Sequence, residues 1–276
     1  MNDDDRKQPG PLSEARRRAY LDAMGIPLWV PRDAPVAPEP EPDAASAPDA
    51  PEPTSGPAAA SPQAPGPDVP QPAATGPEAD AATAAEGSAD VAAMDWDSLR
   101  DTILGCTRCG LCESRTRAVP GVGNRHAELL VIGEAPGQEE DRRGEPFVGR
   151  AGQLLDRMLG AIGLDRETVF ITNVLKCRPP KNRDPKPEEA RACSPYLRRQ
   201  IELIEPKIIL SVGRVSAQQL LETSETIGRL RGGWHEFGPN ATPLLVTYHP
   251  AYLLRSPGEK RKAWADLKRV RDRLRG

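Results

Sequence analysis

Short apolar runs alternate with amphipathic segments through the C-terminal part of the chain, and this alternation predicts the fold. Each apolar run is long enough for one buried strand, and the segments between the runs repeat apolar residues with the period of a helix. Strands are expected at 128–133, Thr168–Leu175, Lys207–Val212 and Pro243–Thr247. Helices are expected at Trp96–Leu104, Ala151–Ile162, Pro187–Ile204, Val215–Leu221 and Lys260–Arg275. Such an order predicts an α/β domain with a central parallel sheet of about four strands and helices on both faces.

The segment before this domain has a different composition. Residues 31–95 contain no Leu, Ile, Phe, Tyr, Trp or Cys and are dominated by Pro, Ala, Asp and Glu. Such a stretch cannot bury enough apolar surface to offset the entropy of ordering it, so we expect a disordered linker. The domain is therefore expected at 96–276.

A small apolar island lies ahead of the linker. Within residues 1–30, Ser13 can cap a short helix that carries Tyr20, Leu21 and Met24 and ends at Gly25. The island is either a docking peptide for another protein, such as one of replication or repair, or a helix that packs back on the domain. The sequence leaves both open.

Charge is unevenly distributed along the chain. The linker holds twelve acidic residues and one basic residue, although the whole chain has a net charge of only -3. Because residues 1–30 balance five acids with five bases, the domain carries about +8. A basic domain suits a polyanionic partner such as DNA.

The N-terminus and the cysteines bear on the compartment. The acidic start Met1–Asp5 is followed by no apolar run long enough for a signal peptide or a membrane span, so a cytoplasmic protein without membrane contact is expected. We also expect a monomer. In a reducing compartment, five clustered cysteines indicate metal or cluster ligation rather than disulfides.

Four of the cysteines have positions that favour ligation. Cys106 and Cys109 form a Cys-x-x-Cys pair, Cys177 follows the second predicted strand, and Cys193 lies on the next predicted helix. Zinc and an iron–sulfur cluster accept the same thiolates, and spacing does not decide between them. Cys112 extends the first pair into a ferredoxin-like run and is expected to be a spare thiol.

Two strand-ending motifs carry the candidate chemistry. Gly133-Glu134-Ala135-Pro136-Gly137 follows the first strand, and His249-Pro-Ala-Tyr-Leu-Leu-Arg255 follows the fourth. In an open parallel sheet such loops meet in one crevice, where ligands bind. With Asn173-Val-Leu-Lys-Cys177, these motifs resemble the uracil-DNA glycosylase superfamily, in particular its iron–sulfur family 4 branch.

The resemblance implies an enzyme of base excision repair that flips uracil out of DNA, hydrolyses its N-glycosidic bond and leaves an abasic site. It implies a [4Fe–4S] cluster held by Cys106, Cys109, Cys177 and Cys193. The implied site residues are the backbone of Gly133, Glu134 and Ala135, with Phe147 stacking on uracil, Asn173 reading its O4 and N3–H edge, and His249 facing O2.

The remaining implied roles concern DNA and water. Leu253 and Leu254 are expected to wedge into the duplex, and Arg255 to contact phosphate. Where the family 1 enzymes place a water-positioning aspartate, this chain has Ala135, so Glu134 or the acidic run 138–141 is expected to take that role. A non-catalytic iron–sulfur DNA-binding module and a zinc-stabilised scaffold remain as alternatives.

Overall fold

The computed structural model describes Ala15, Arg18, Leu21, Asp22 and residues 90–276. Within the described region the strands form one six-stranded sheet in the order β1-β3-β2-β4-β6-β5. The four inner strands are parallel, and the two edge strands are antiparallel to their neighbours. The strands are β1 (Val122–Gly123), β2 (Leu129–Gly133), β3 (Phe170–Asn173), β4 (Ile208–Val212), β5 (Trp234–Phe237) and β6 (Thr242–Thr247).

Helices cover both faces of the sheet. The α-helices are α1 (Trp96–Gly105), α2 (Leu111–Ser114), α3 (Gln138–Arg143), α4 (Arg150–Ala161), α5 (Pro187–Ile204), α6 (Arg214–Leu220), α7 (Ile227–Leu230), α8 (Pro250–Arg255) and α9 (Lys260–Leu274). Single 3-10 turns lie at Pro180–Asn182 and Pro257–Glu259.

Alternate strand residues divide the core into two layers, because successive side chains of a strand point to opposite faces. Val131 of β2 packs in a cluster with apolar residues of α4 and α9. Its neighbour Leu130 packs in a second cluster with residues of α5 and α6. A third cluster joins α1 to the cysteines and to Tyr196 of α5. Strands β2, β3 and β4 are buried along their whole length and β6 over its last four residues, as parallel strands covered on both faces require.

The predicted α/β architecture is confirmed, and the bounds of the predicted elements hold to within a few residues. Sequence reasoning missed the edge strands β1 and β5. It also treated as loops the short helices α3 and α8, each of which follows a strand at the carboxyl edge of the sheet.

Few of the residues on which the N-terminal predictions depend are described by the structure. Ala15, Arg18, Leu21 and Asp22 are helical, and Leu21 is 4% exposed within the cluster that covers α4 and α9. The rest of residues 1–30 and the predicted linker up to residue 89 lie outside the described residues. Val91, ahead of the predicted domain start, is buried against α1. None of the described helices combines the length and apolarity needed to cross a bilayer.

Candidate active site at the carboxyl edge of the sheet

The carboxyl ends of β2 and β3 lie side by side and bring Gly133 next to Asn173 in register. A methyl group on Gly133 would lie 2.4 Å from Asn173 Oδ1 and 2.5 Å from Phe147 Cζ. Both side chains therefore pack directly on the bare Cα of this glycine. Glu134, Ala135, Phe147, Asn173, His249 and Arg255 all line one pocket above it.

Asn173 presents an acceptor with no partner. The residue is 2% exposed, and its Oδ1 accepts no hydrogen bond from any described group. A buried polar atom without a partner is costly, and such atoms recur where a ligand completes the hydrogen bonding. The Asn173 amide can accept through Oδ1 and donate through Nδ2. It therefore offers a matched pair of hydrogen bonds to a planar ligand.

The Phe147 ring forms another wall of the pocket, and its loop is held in an unusual conformation. Phe147 has φ of 55°, in the left-handed region that a bulky residue rarely adopts. Glu140 Oε1 accepts from the backbone N–H groups of Val148 (2.9 Å) and Gly149 (3.0 Å), directly after the ring. The Arg166 guanidinium donates to the Phe147 carbonyl oxygen. These contacts fix the position of the aromatic ring.

His249 faces the pocket as a neutral hydrogen-bond donor. It caps the N-terminus of α8, where its Nδ1 accepts from the backbone N–H of Ala251 at 3.1 Å. Because Nδ1 is the acceptor, the ring proton of the neutral form is on Nε2. Burial and, to a smaller extent, the nearby Arg255 charge lower the pKa of His249 to about 4, although Glu140 opposes both. The imidazole is therefore uncharged at neutral pH.

Glu134 lines the pocket together with two other carboxyl groups, those of Glu140 and Asp184. Burial and, to a smaller extent, Asp184 raise the pKa of Glu134 to about 7, although the Arg214 guanidinium opposes the rise. A carboxyl group with this pKa exchanges protons near neutral pH, which suits a general base. The Glu134 backbone is fixed as well, since its carbonyl oxygen accepts from Leu175 N at 3.0 Å.

The structure corrects one of the predicted DNA contacts. Leu253 is 1% exposed and belongs to the core cluster, so it cannot insert into a duplex. Leu254 is 37% exposed. The two differ because residues 250–255 form a helix, in which neighbouring side chains point about 100° apart. Tyr252, which sequence reasoning passed over, is 36% exposed and lines the pocket beside Arg255.

The cysteines gather at a second place in the fold. Cys106 ends α1, Cys177 follows β3, and Cys193 lies on α5. These three line one cavity together with Cys109 and Cys112, and all five thiols are free. The four cysteines predicted as ligands are therefore brought together at one cavity, and Cys112 also lines it.

Hydrogen-bond donors surround the sulfur atoms. Arg115 donates to Cys177 Sγ at 3.0 Å, and the backbone N–H of Lys176 donates to Cys193 Sγ at 3.3 Å. Burial raises the pKa of Cys193 to about 12, although the Lys176 charge opposes the rise. Burial also raises the pKa values of the Cys109 and Cys177 thiols. Such donors stabilise thiolates, which is the form that binds metal.

Part of the pocket was not predicted as such. The acidic run 138–141 is a helix rather than a solvated loop, and its members anchor neighbouring loops. Glu140 fixes the Phe147 loop, while Asp141 Oδ1 accepts from Thr116 N at 2.9 Å. The far rim is formed by residues of the segment 179–184, where Asp184 pairs with Arg214. In the sequence, these anchoring residues are marked only by closely spaced carboxylates after a strand. By itself, that pattern is typical of an exposed surface.

Known proteins with similar sequences agree with this geometry. The family model described as the uracil DNA glycosylase superfamily matches residues 120–268. A type-4 uracil-DNA glycosylase of Archaeoglobus fulgidus is 46% identical over 180 residues, covering 63% of this chain and 90% of the relative. The type-4 enzyme of Saccharolobus solfataricus is 47% identical over 185 residues, covering 64% and 86%.

A related class is more distant. The type-5 uracil-DNA glycosylase of Thermus thermophilus is 33% identical over 151 residues, covering 48% of this chain and 68% of the relative. The type-4 relatives match at higher identity and over more of their own length. On this evidence the chain belongs to the uracil-DNA glycosylase superfamily and, within it, to the type-4 uracil-DNA glycosylases.

Proposed function

We propose that this protein hydrolyses the N-glycosidic bond of uracil in DNA, releasing free uracil and leaving an abasic site for base excision repair. The observation that carries the proposal is the unpartnered Oδ1 of Asn173, which lies in one pocket with an aromatic ring and a neutral histidine. The type-4 uracil-DNA glycosylases of A. fulgidus and S. solfataricus support it.

Base recognition follows from the groups of the pocket. A base flipped out of the duplex is read on its Watson–Crick edge and stacked on an aromatic side chain. Asn173 Oδ1 accepts from uracil N3–H, and its Nδ2 donates to O4. Cytosine reverses both groups, because it has a bare N3 and an amino group at C4. The Phe147 ring, which lies beside Asn173 over Gly133, stacks on the base.

His249 stabilises the charge that develops on the leaving group. As the bond between C1′ of the sugar and N1 of uracil breaks, its electron pair goes to the base and negative charge builds on O2. The Nε2–H of neutral His249 donates to that oxygen. A preorganised donor of this kind contributes about 10²–10³ in rate. Because the imidazole starts neutral, no proton needs to be lost before the step.

Glu134 positions the water that completes the hydrolysis. The water oxygen bonds to C1′ of the oxocarbenium-like sugar, and one of its protons passes to the Glu134 carboxylate. The uracil anion leaves and takes a proton from solvent water, and Glu134 returns the proton it accepted to solvent, which restores its carboxylate. A base with a pKa of about 7 is ionised in a large fraction of molecules at neutral pH and still accepts a proton.

DNA contacts surround the pocket. Leu254 is the exposed apolar side chain of α8 and wedges into the base stack, while Arg255 at the pocket rim contacts a phosphate. Uracil-containing DNA is thus the proposed partner. The segment 13–30 remains a candidate contact for a replication or repair protein.

The cysteine cavity fits a [4Fe–4S] cluster held by Cys106, Cys109, Cys177 and Cys193. The cavity walls are formed by thiols from three separate parts of the fold, with N–H donors aimed at sulfur. Four thiols that line one cavity suit a cluster of several metal atoms, each held by one thiolate. When bound, the cluster supplies a cross-link between α1, the end of β3 and α5.

Single Cys→Ala changes test the ligand set. Each change at Cys106, Cys109, Cys177 or Cys193 should lower the iron content, the visible absorbance and the thermal midpoint together, because cluster binding is linked to folding. Cys112→Ala is the matched control and should keep all three. Bleaching by Cys112→Ala but not by Cys109→Ala would contradict the assignment.

Excision of uracil from a synthetic duplex tests the function. The purified protein is incubated with a uracil-containing oligonucleotide, and abasic sites are revealed by alkaline cleavage. Wild type should excise uracil, so that alkali cuts the strand at that position, and His249→Ala should slow the single-turnover rate by about 10²–10³ with little change in DNA affinity. Wild-type protein that binds the duplex and leaves every uracil in place would refute the proposal.

A further inference from the structure

We propose that Lys176 is a positioning residue that ties the uracil-reading Asn173 to the cysteine cavity. The inference deepens the proposed function and rests on it, because it assumes that Asn173 reads the base. Lys176 lies three residues after Asn173 and directly before Cys177, so one short segment carries the recognition residue, the lysine and a thiol.

The Lys176 side chain is directed at the backbone of Asn173 and not at solvent. Lys176 is 1% exposed, and its Nζ donates to Asn173 O at 2.7 Å. It also donates to Thr172 Oγ1 and Gln200 Oε1, each at 2.7 Å. An ammonium group has three donors, and here each has one short acceptor. The group is therefore fixed in position.

The acceptors connect Lys176 to other elements. Gln200 lies on α5, the helix that carries Cys193, and its Nε2 donates to Pro120 O at 2.8 Å. Thr172 Oγ1 donates to the same carbonyl oxygen at 2.9 Å. The network thus fixes the end of β3 against α5 and against the segment before β1. Asn173 is held at its backbone, which leaves its side chain directed at the pocket.

The charge of Lys176 is balanced on the cysteine side. In the described region no carboxylate pairs with Lys176, although an isolated buried cation is costly. The neighbouring groups that can carry negative charge are the thiols of Cys177 and Cys193. Both thiol groups interact electrostatically with the Lys176 ammonium group. Separately, the backbone N–H of Lys176 donates to Cys193 Sγ at 3.3 Å. When these thiols are ligands, they are thiolates and supply the missing countercharge.

This arrangement gives the cysteine cavity a part in base recognition, distinct from general stability. The ammonium group donates to the Asn173 carbonyl oxygen and interacts electrostatically with Cys193 and Cys177, so a change on the cysteine side alters the group that holds Asn173. Any buried ammonium group needs acceptors, but here one of the three is the backbone carbonyl oxygen of the recognition residue.

The test compares Lys176→Met with wild type, both purified with the cluster and normalised to iron content. The methionine keeps the length and removes the charge and the donors. We expect uracil excision in single turnover to slow by about 10²-fold, the loss that a displacement of about 1 Å produces. Inhibition by free uracil should weaken by roughly tenfold. Affinity for undamaged duplex should stay within about twofold of wild type.

Ser211→Ala is the matched control. Ser211 is buried on β4 and hydrogen-bonded to Ser216 at 2.8 Å, so its loss destabilises the core without touching Asn173. It should excise uracil at the wild-type rate. Should Lys176→Met not accumulate as folded protein, Gln200→Met removes one acceptor of the ammonium group and should give a smaller loss in both rate and uracil inhibition.

The outcomes are separable. Inactive wild-type protein would refute the proposed function and not this inference alone. If wild type is active, the role of Lys176 would be overturned by an iron-loaded Lys176→Met protein with the wild-type excision rate and the wild-type inhibition by uracil. The role would also be overturned if Lys176→Met lost no more excision rate than Ser211→Ala at an equal drop in thermal midpoint.

Discussion

Replacing Gly133 with alanine should perturb base recognition through a single added methyl group. The added methyl group would lie 2.4 Å from Asn173 Oδ1 and 2.5 Å from Phe147 Cζ, whereas ordinary contacts of a Cβ begin at 3.4 Å. One or both side chains must therefore move by about 1 Å, and a misplacement of that size costs about 10² in rate. The corresponding loss in transition-state stabilisation is about 2.7 kcal/mol. DNA affinity should change little, because the phosphate contacts lie elsewhere.

Single-turnover excision from a uracil-containing duplex measures the effect, with a filter or anisotropy assay for affinity. Gly228→Ala is the control, because a Cβ there would meet nothing within 4 Å and the residue lies in helix α7. It should keep the wild-type rate and gain up to about 1 kcal/mol in stability. A Gly133→Ala protein that excises uracil as fast as Gly228→Ala would refute the placement of the base against Asn173 and Phe147.

Two further predictions concern Glu134 and the exposed tip of α8. The excision rate should rise as pH increases through about 7, because the Glu134 carboxyl must lose its proton to act as a base. Glu134→Gln should remove this rise in rate. Above pH 7 it should also stabilise the fold, since ionising a buried carboxyl is unfavourable. A pH–rate profile checks the first effect and thermal unfolding at pH 8 the second, and a pH–rate profile equal to that of wild type would contradict the role of Glu134 as a base. Leu254→Ala should lower excision from duplex more than from single-stranded DNA, whereas Leu253→Ala should lower the free energy of unfolding by about 2–5 kcal/mol. Equal effects of the two changes on unfolding would contradict the assignment of Leu253 to the core and Leu254 to the surface.

The inner sheet could be predicted because its signal is local. Each inner strand is a continuous apolar run, and the sheet order then places the strand ends at one edge. The edge strands gave weaker signals. β1 has only two residues. In β5, Glu236 is exposed and the other residues are half-buried, so neither edge strand has the apolar run of an inner strand. Their pairing depends on strands distant in sequence.

The site was predicted where a motif fixes both the residue and its strand end, as for Asn173 and His249. It was not predicted where a role depends on partners brought in by the fold. Glu140 belongs to an acidic run typical of solvated surface, yet it holds the Phe147 loop. Lys176 is a charged residue in a fully buried network, which the sequence gives no means to anticipate. Leu253 and Leu254 were treated alike because the short helix α8 was not recognised.

The most direct test of base recognition is the excision of uracil and of cytosine by Asn173→Asp in single turnover. An aspartate carboxylate places an acceptor against uracil O4, which is also an acceptor, while a protonated carboxyl can pair with cytosine. Uracil excision should fall by several orders of magnitude, and slow cytosine excision should appear. An unpaired buried group accounts for only about 1–3 kcal/mol, so the remainder must arise in the transition state. Uracil excision by Asn173→Asp at the wild-type rate would contradict the account.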